Sequence, residues 1–212
     1  MRRSTVLLAA TIGYVVLYAI ATIAIGTLPD VNDSGAEVVQ WFQDHGDRVR
    51  VWLFFSTFAL VLIGVYAGII RGVLPAPYRD VFIIGAIAVI VETVVYGWFW
   101  GGLALHAEDL EPATARTMLD VASYWGPVLT GAVITMLAPV AILALRRQAG
   151  LPRWLGVLLA VAVVEQVVET VTIFGERGFI APGGELNLVF GAALVSAAAV
   201  ALGIVVARSI PD

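Results

Sequence analysis

Apolar residues fill six long stretches of the chain, and polar or charged residues are concentrated in the segments between them. A helix needs about 20 consecutive, mainly apolar residues to cross the hydrocarbon core of a bilayer. Runs of this kind predict membrane-spanning helices at residues 5–27, 49–70, 81–105, 124–145, 154–174 and 186–207. The pattern therefore predicts an all-α, polytopic membrane protein, in which residues 1–212 form a single transmembrane domain, a six-helix bundle.

The charges between the spans alternate in sign along the chain. Arg71, Arg79, Arg146 and Arg147 lie on one side of the predicted bundle, and most aspartates and glutamates lie on the other. Because an excess of arginine in short loops marks the cytoplasmic side, we expect both termini to be cytoplasmic and three acidic loops to face outside. The first apolar run is longer than an ordinary signal-peptide core and lacks a small-residue cleavage site, so we expect it to be the first span.

The outer segments contain two further helix signals. Ser34 and Glu37 have the spacing of a capping box, and the apolar residues after them predict a short interfacial helix in the first outer loop, which could cover the bundle. Pro112 favours the first turn of a helix that runs into the fourth span, and Pro127 is expected to bend that helix. The outer side is therefore expected to be the more structured one.

The amino-acid composition is that of a membrane protein, and it excludes several classes of function. The chain is 60% hydrophobic and 13% charged, which excludes a soluble globular protein of this length. It contains no cysteine, so disulfides, thiolate metal sites and catalytic thiols are excluded. All 12 basic residues are arginine, which favours a GC-rich bacterial genome and a multi-pass protein of the bacterial inner (plasma) membrane. No nucleotide-binding motif and no basic surface for nucleic acid are present.

Three glutamates, Glu92, Glu165 and Glu169, lie within two predicted spans that contain no basic residue. A carboxyl group at membrane depth costs about 2.5 to 3.5 kcal/mol even on lenient insertion scales, so it usually has a function. Glu165 and Glu169 are one helical turn apart, and their mutual repulsion together with desolvation opposes ionising both. We predict all three as catalytic residues. The alternative is that they are protonated and only form hydrogen bonds between helices.

Aromatic residues accompany these glutamates. Tyr96 and Trp100 are four residues apart on the third span, with Trp98 between them, and Tyr14 and Tyr18 share one face of the first span. Because polar faces of membrane helices turn toward neighbouring helices or water, the first, third and fifth spans are expected to converge. We therefore predict an aromatic-lined cavity that opens outward, with these five residues binding the substrate.

The remaining polar and small residues favour structural roles. His45 and His106 lie in acidic outer segments and could share a metal only if those segments meet, so we expect solvated histidines and no metal. Gly64 and Gly68 on the second span, and alanines on the sixth, form small-residue faces. Such faces allow close helix packing and could support a homodimer.

Three segments resemble a set of small actinobacterial membrane proteins. They are PATAR at 112–116, RRQAGLPRWLG at 146–156 and APGG at 181–184. The resemblance covers mainly the C-terminal half and implies a six-helix bundle, whereas the intramembrane glutamates depart from the common pattern. The combination of a small bundle, buried acids and aromatic residues also resembles, in design alone, the integral-membrane terpene cyclases. No residue role is carried over from either group.

The leading functional hypothesis is an intramembrane enzyme that performs acid–base chemistry on a lipophilic, isoprenoid-like substrate, as a cyclase or isomerase does. Glu169 or Glu165 is the candidate acid and Glu92 the candidate base or second acid, without a cofactor, and aromatic faces would stabilise a carbocation. Alternatives are a proton- or cation-coupled small transporter and an accessory subunit of a membrane complex. The expected partners are a lipophilic small molecule and membrane lipid, with no nucleic acid. An enzyme predicts a closed cavity, and a transporter predicts a path to both faces.

Overall fold

The computed structural model of the chain describes residues 2–210. Within this range the α-helices are α1 Arg3–Ile25, α2 Gly35–Val73, α3 Tyr78–Leu105, α4 Pro112–Ser123, α5 Trp125–Leu145, α6 Arg153–Glu169 and α7 Ala192–Ser209. A 3₁₀ segment, Thr170–Phe174, extends α6, and a π-helical segment, Leu186–Gly191, leads into α7. Six helical units are long and apolar enough to cross a membrane, and no strand lies among residues 2–210. The predicted all-α structure with six possible spans is confirmed.

The largest difference from the predicted helices concerns α2. The expected short helix begins at the expected place, since the Ser34 amide donates to Glu37 Oε2 at 2.7 Å and the capping box is complete. It then continues without a break into the second span and forms one helix of 39 residues. Only one glycine and no proline interrupts the residues that join the two parts, so helical hydrogen bonding continues through them. An interfacial position for the first part of α2 remains a prediction.

The fourth span begins with α4, which has Pro112 in its first turn as expected. Tyr124 alone separates α4 from α5, and Pro127 lies in the first turn of α5. Proline has no amide hydrogen to donate to the Ser123 carbonyl four residues earlier, so the helix breaks before Pro127 and restarts. The helical hydrogen-bond pattern is therefore interrupted at Tyr124, whose backbone keeps helical dihedral angles, and the expected bend remains a prediction.

The spans form a ring in which neighbours along the chain are neighbours in space. α1 packs on α2, α2 on α3, α3 on α5 and α5 on α6, while α7 packs on both α6 and α1 and closes the ring. Short connections between consecutive helices favour this antiparallel arrangement. Two glycines allow close approach: Gly85 brings α3 against the backbone of Met136 in α5, and Gly203 brings α7 against Thr11 in α1. The ring leaves space along its axis.

The arginine-bearing end of the ring is filled by a tightly packed core. Every span contributes a fully buried apolar side chain to it, namely Leu7, Ile70, Phe82, Leu137, Leu155 and Leu202. Side chains at this depth interdigitate with few voids, as in other protein interiors. We call this part the inner core.

A second apolar cluster lies at the acidic end and includes Val38 and Phe42 of α2, Leu103 of α3 and Leu119 of α4. We call the first part of α2 (35–50), α4 and the end of α3 the outer cap. Hydrogen bonds join its parts, as Arg50 donates to the Ala104 carbonyl at 3.3 Å. The first part of α2 therefore packs over the acidic end of the bundle.

The small-residue faces lie on the outside of the ring. A methyl group added at Gly64 or Gly68 would meet no atom within 4 Å, and Ala193 and Ala197 are exposed. These four positions make no close helix contact within the chain, whereas Ala201 of the same alanine face packs against the inner core. The homodimer therefore remains a prediction.

Candidate functional site

A cavity of about 280 Å³ lies inside the ring, between the inner core and the outer cap. Residues from all six spans line it, and its aromatic lining consists of Tyr14, Tyr18, Trp52, Tyr66, Tyr96 and Trp125. Its volume is just below the range of about 300 to 1,000 Å³ that is typical of small-molecule sites. The lining residues within 2–210 include no arginine and no histidine. The cavity therefore suits a small, mainly apolar molecule.

Aromatic rings gather at the outer end of this cavity. The ring of Tyr96 stacks on Trp125 with centroids 4.5 Å apart and meets Trp52 edge-on at 5.7 Å. Trp100 lies above them, 5.7 Å from Tyr96 and 5.8 Å from Trp52, and is buried. We call these four residues the aromatic roof. The negative faces of such rings attract positive charge.

The inner end of the cavity is closed by a hydrogen bond between two spans. The Tyr66 hydroxyl on α2 donates to the Ala199 carbonyl on α7 at 2.7 Å. Thr11, which also lines this end, donates its hydroxyl to the Leu7 carbonyl of its own helix at 2.8 Å. Both hydroxyl groups are therefore occupied by backbone acceptors, and the inner end offers little polarity to a ligand.

Glu169 is the only carboxyl residue that lines the cavity within the described part of the chain, and it is 4% exposed. The Asn187 side-chain amide donates to Oε1 at 2.7 Å, and the Gln166 side-chain amide donates to Oε2. A side chain at Gly191 would collide with Oε2, so glycine at this position makes room for the carboxyl group. Two amides and the absence of a side chain thus hold the carboxyl group in one orientation.

Glu165 reaches this group through Gln166. The same Gln166 amide nitrogen donates to Glu165 Oε2 at 2.9 Å, so one amide joins two carboxyl groups. Glu165 is half-buried and does not line the cavity, and its Oε1 has no hydrogen-bond partner among residues 2–210. The predicted pair is therefore brought together by a bridging side chain.

Glu92 lies apart from the cavity. Val89, Thr93 and Tyr96 form the cavity-lining face of α3, and Glu92 follows Gly85 by seven residues, which places it on the flank that packs against α5. Its Oε2 is buried and without a partner in the described chain. The first, third and fifth spans do line one cavity, but Glu92 is not part of its lining, because each residue turns the helix by about 100° and Thr93 takes the inward position.

The predicted aromatic residues are divided in the same way. Tyr14, Tyr18 and Tyr96 line the cavity, and Trp100 belongs to the aromatic roof just outside it. Trp98 is 69% exposed and lies on the outer surface of the bundle. It is half a helical turn away from both Tyr96 and Trp100, so it points in the opposite direction.

Sequence reasoning missed five residues of this site: Trp52, Tyr66, Trp125, Gln166 as a bridge, and Asn187. Asn187 carried a usable signal, because it is a polar residue just inside the last apolar run. From the sequence, Gln166 could be recognised only as a possible hydrogen-bond partner of the neighbouring glutamates. Nothing in the spacing of Trp52 or Trp125 distinguishes them from other tryptophans near the end of a span.

The two histidines lie in different settings. The half-buried His45 has Nδ1 2.9 Å from the Trp41 carbonyl, and its ring stacks on Trp41 at 4.7 Å. His106, Glu108 and Asp109 have potential ligand atoms within 4.8 Å of one another at an exposed turn, without His45. Exposed acidic groups often lie this close together without an ion, so their proximity is not evidence for a metal site.

Comparisons with known protein families, with curated proteins and with solved structures find no match. The resemblance to small actinobacterial membrane proteins and the similarity of design to terpene cyclases therefore remain expectations from sequence. Any function has to be argued from the geometry of the site.

Proposed function

We propose that this protein is an intramembrane enzyme that isomerises or cyclises a small, isoprenoid-like lipophile, with Glu169 as proton donor and acceptor. One observation carries the proposal: a buried carboxyl group, held by two amides, lies in the wall of an apolar and aromatic cavity of about 280 Å³. Intramembrane carboxyl groups that face a cavity are usually functional. The orientation of this one is set before a ligand binds, as catalysis by a positioned group requires.

A single carboxyl group is sufficient for this chemistry. Protonated Glu169 gives its proton to one alkene carbon, so the π electrons form a C–H bond and the neighbouring carbon becomes cationic. The Glu169 carboxylate then removes a proton from an adjacent carbon, and that C–H electron pair forms the new double bond. In a cyclisation, a second alkene attacks the cation between these two steps. Atoms and charge balance without a cofactor, and Glu92 is not needed as a base.

The surrounding residues support this sequence of steps. Between the two proton transfers Glu169 is a carboxylate, and the amides of Gln166 and Asn187 donate to its two oxygens. Trp52, Tyr96 and Trp125 line the same cavity as Glu169, and cation–π attraction of about 2 kcal/mol is typical of desolvated sites. Glu169 is the one carboxyl group in the described lining, and a carboxyl group is a far stronger acid than the tyrosine hydroxyls around it.

We further propose a bacterial plasma membrane location with both termini in the cytoplasm and the outer cap at the outer interface. The support is the arginine bias of the short loops at the inner-core end and the acidic residues of the outer cap. A lipophilic substrate in this setting is already dissolved in the bilayer. It can therefore reach the ring from the side.

The proposal is tested by deuterium incorporation. Purified protein in nanodiscs is incubated in D₂O with geranyl, farnesyl and geranylgeranyl alcohols and their terminal epoxides, and the recovered lipids are analysed by mass spectrometry. Wild type is expected to place deuterium on carbon in at least one of them, and Glu169→Gln to lose this activity by about 100-fold or more. Glu92→Gln is the matched control and keeps it. Equal incorporation by Glu169→Gln and wild type would refute the role of Glu169.

One observation favours a transporter as second candidate. Gln166 joins Glu165 and Glu169, and two carboxyl groups in one hydrogen-bonded unit suit the binding of a proton or cation. The inner core opposes this candidate, because a path to the cytoplasmic side would have to pass fully buried residues such as Phe82 and Leu155. Liposome flux that depends on a pH gradient and is lost in Glu165→Gln, without deuterium incorporation, would replace the enzyme by the transporter.

A further inference from the structure

A second, smaller cavity of about 30 Å³ adjoins the main cavity on its outer side. Leu28, Tyr96, Trp125, Gly126 and Leu188 line both of them. Trp100 and residues of α4 complete its wall. We call this space the outer chamber. A cavity needs about 10 to 15 Å³ of this kind of volume to hold one water molecule, so the outer chamber has room for a hydroxyl or carbonyl group.

Two buried hydrogen-bond donors belong to the walls of the outer chamber. Trp100 Nε1 and Trp125 Nε1 are both shielded from solvent, and neither has an acceptor with good hydrogen-bond geometry among residues 2–210. The Tyr96 hydroxyl is a neighbouring acceptor for Trp100 only, so Trp125 is the donor without any alternative. An indole N–H can only donate, and a buried donor without a partner is rare in folded proteins because it is costly. Each of these donors therefore calls for an acceptor atom, and the outer chamber is a cavity that both side chains line.

The remaining wall indicates which acceptor fits. No charged residue lines the outer chamber within the described part of the chain. The hydroxyl of Ser123, the other hydroxyl residue here besides Tyr96, already donates to the Leu119 carbonyl at 2.9 Å. An anion would be buried without a counter-charge, which is strongly unfavourable, whereas a neutral oxygen needs only the two donors. The chemistry selects an alcohol, carbonyl, ether or epoxide oxygen.

The outer chamber lies at the Glu169 end of the main cavity. A methyl group at Gly126, next to Trp125, would lie 3.0 Å from the Asn187 side chain. Asn187 in turn donates to Glu169 Oε1 at 2.7 Å. A molecule whose oxygen occupies the outer chamber would therefore extend its carbon skeleton past Glu169.

We propose that the outer chamber is the binding site for a neutral oxygen of the substrate, which accepts hydrogen bonds from Trp125 and Trp100. The apolar body of the same molecule occupies the main cavity. This inference rests on the proposed function and narrows its substrate class to oxygen-bearing lipophiles, as distinct from plain hydrocarbons. The oxygen also fixes which carbon atoms lie beside Glu169.

The test compares ligand binding and needs no turnover. Tritiated farnesol is bound to the protein in nanodiscs and displaced by unlabelled farnesol or by farnesene, the hydrocarbon with the same skeleton. Wild type is expected to prefer the alcohol by roughly fivefold, as one or two buried hydrogen bonds provide. Trp125→Phe and Trp100→Phe keep an aromatic face without the N–H and should reduce this preference to about twofold or less. Trp98→Phe, which removes an exposed indole, should leave it unchanged.

The outcomes separate this inference from the proposed function. Glu169→Gln should retain the preference for the alcohol even when deuterium incorporation is lost, because the indole donors are unaffected. Equal affinity for alcohol and hydrocarbon in wild type, or an unchanged preference in Trp125→Phe, would mean that the outer chamber holds water only. If a tryptophan variant fails to fold, wild type labelled with ¹⁵N-tryptophan provides a second measurement. Farnesol should then shift the indole N–H signals of Trp100 and Trp125, and farnesene should not.

Discussion

At the residue scale, the orientation of Glu169 depends on a chain of hydrogen bonds that reaches the outer loop. Asn187 donates to Glu169 and also to the Thr172 hydroxyl at 3.2 Å. Its own carbonyl oxygen accepts from the Gly183 amide at 3.1 Å. All of the ordinary hydrogen-bonding groups of Asn187 are therefore used. The carboxyl group is held by a residue that the outer loop itself holds.

Gly191→Ala tests whether this orientation matters. The added methyl group would overlap Glu169 Oε2 and lie 3.2 Å from Gln166 Nε2, so the carboxyl group has to move. We expect deuterium incorporation to fall by about tenfold or more, because small misplacements of a catalytic group are costly. Gly131→Ala, where the space is open, is the matched control and should be neutral or slightly stabilising. Wild-type incorporation by Gly191→Ala would contradict the assigned geometry.

At the element scale, α2 is one continuous helix that belongs both to the outer cap and to the ring of spans. Its first part belongs to the outer cap, and its second part spans the bundle and contributes Trp52 and Tyr66 to the cavity. Arg50 lies where the two parts meet and donates to the carbonyls of Ala104 and Leu105, at 3.3 and 3.5 Å. The last carbonyls of a helix lack partners within the helix, and a cation there is favourable. Arg50 thus joins two parts of the outer cap, the first part of α2 and the end of α3.

Arg50→Ala should weaken the contact between the first part of α2 and the end of α3. The Arg50 side chain is 57% exposed, so we expect a loss of only about 1 kcal/mol in the free energy of unfolding. Thermal unfolding in detergent measures it. Arg48→Ala, at an exposed arginine on the same helix, is the control. The assignment fails if the two variants are equally stable.

At the scale of the whole molecule, the ring is solid at one end and hollow toward the other. The inner core closes the cytoplasmic end in the proposed orientation, and the outer cap covers the acidic end. The proposed substrate dissolves in lipid, so it can enter laterally between two helices even though the inner core and the outer cap cover the two ends of the ring. Lateral entry is independent of the orientation of the bundle, so the cytoplasmic position of the inner core needs a test of its own.

Cysteine labelling tests this orientation without background, because the chain contains no cysteine. Asp109→Cys, in the exposed outer turn, should react with a membrane-impermeant maleimide in intact cells. Gln148→Cys, in the exposed turn between α5 and α6, should react only after the membrane is permeabilised. Ala162→Cys is buried and should stay unlabelled in both conditions. The reverse labelling of the first two variants would invert the topology.

Properties that depend on local composition could be predicted from the sequence. Six apolar runs gave six helical units, the capping box at Ser34 and Glu37 started α2, and Pro112 started α4. Each of these signals acts within one or two helical turns. The burial of a carboxyl group was also visible, since Glu169 lies in an apolar run whatever its neighbours are.

The inward face of each helix was decided by tertiary packing. A rotation of about 100° per residue separates Thr93, which lines the cavity, from Glu92, which does not, and hydropathy is nearly uniform around both positions. Trp98 and Trp100 were likewise indistinguishable until α3 was packed against its neighbours. The sequence by itself determined that carboxyl and aromatic groups lie within the spans. Only the ring of helices decided that Glu169, Asn187 and the aromatic roof meet, because residues far apart in sequence come together there through packing alone.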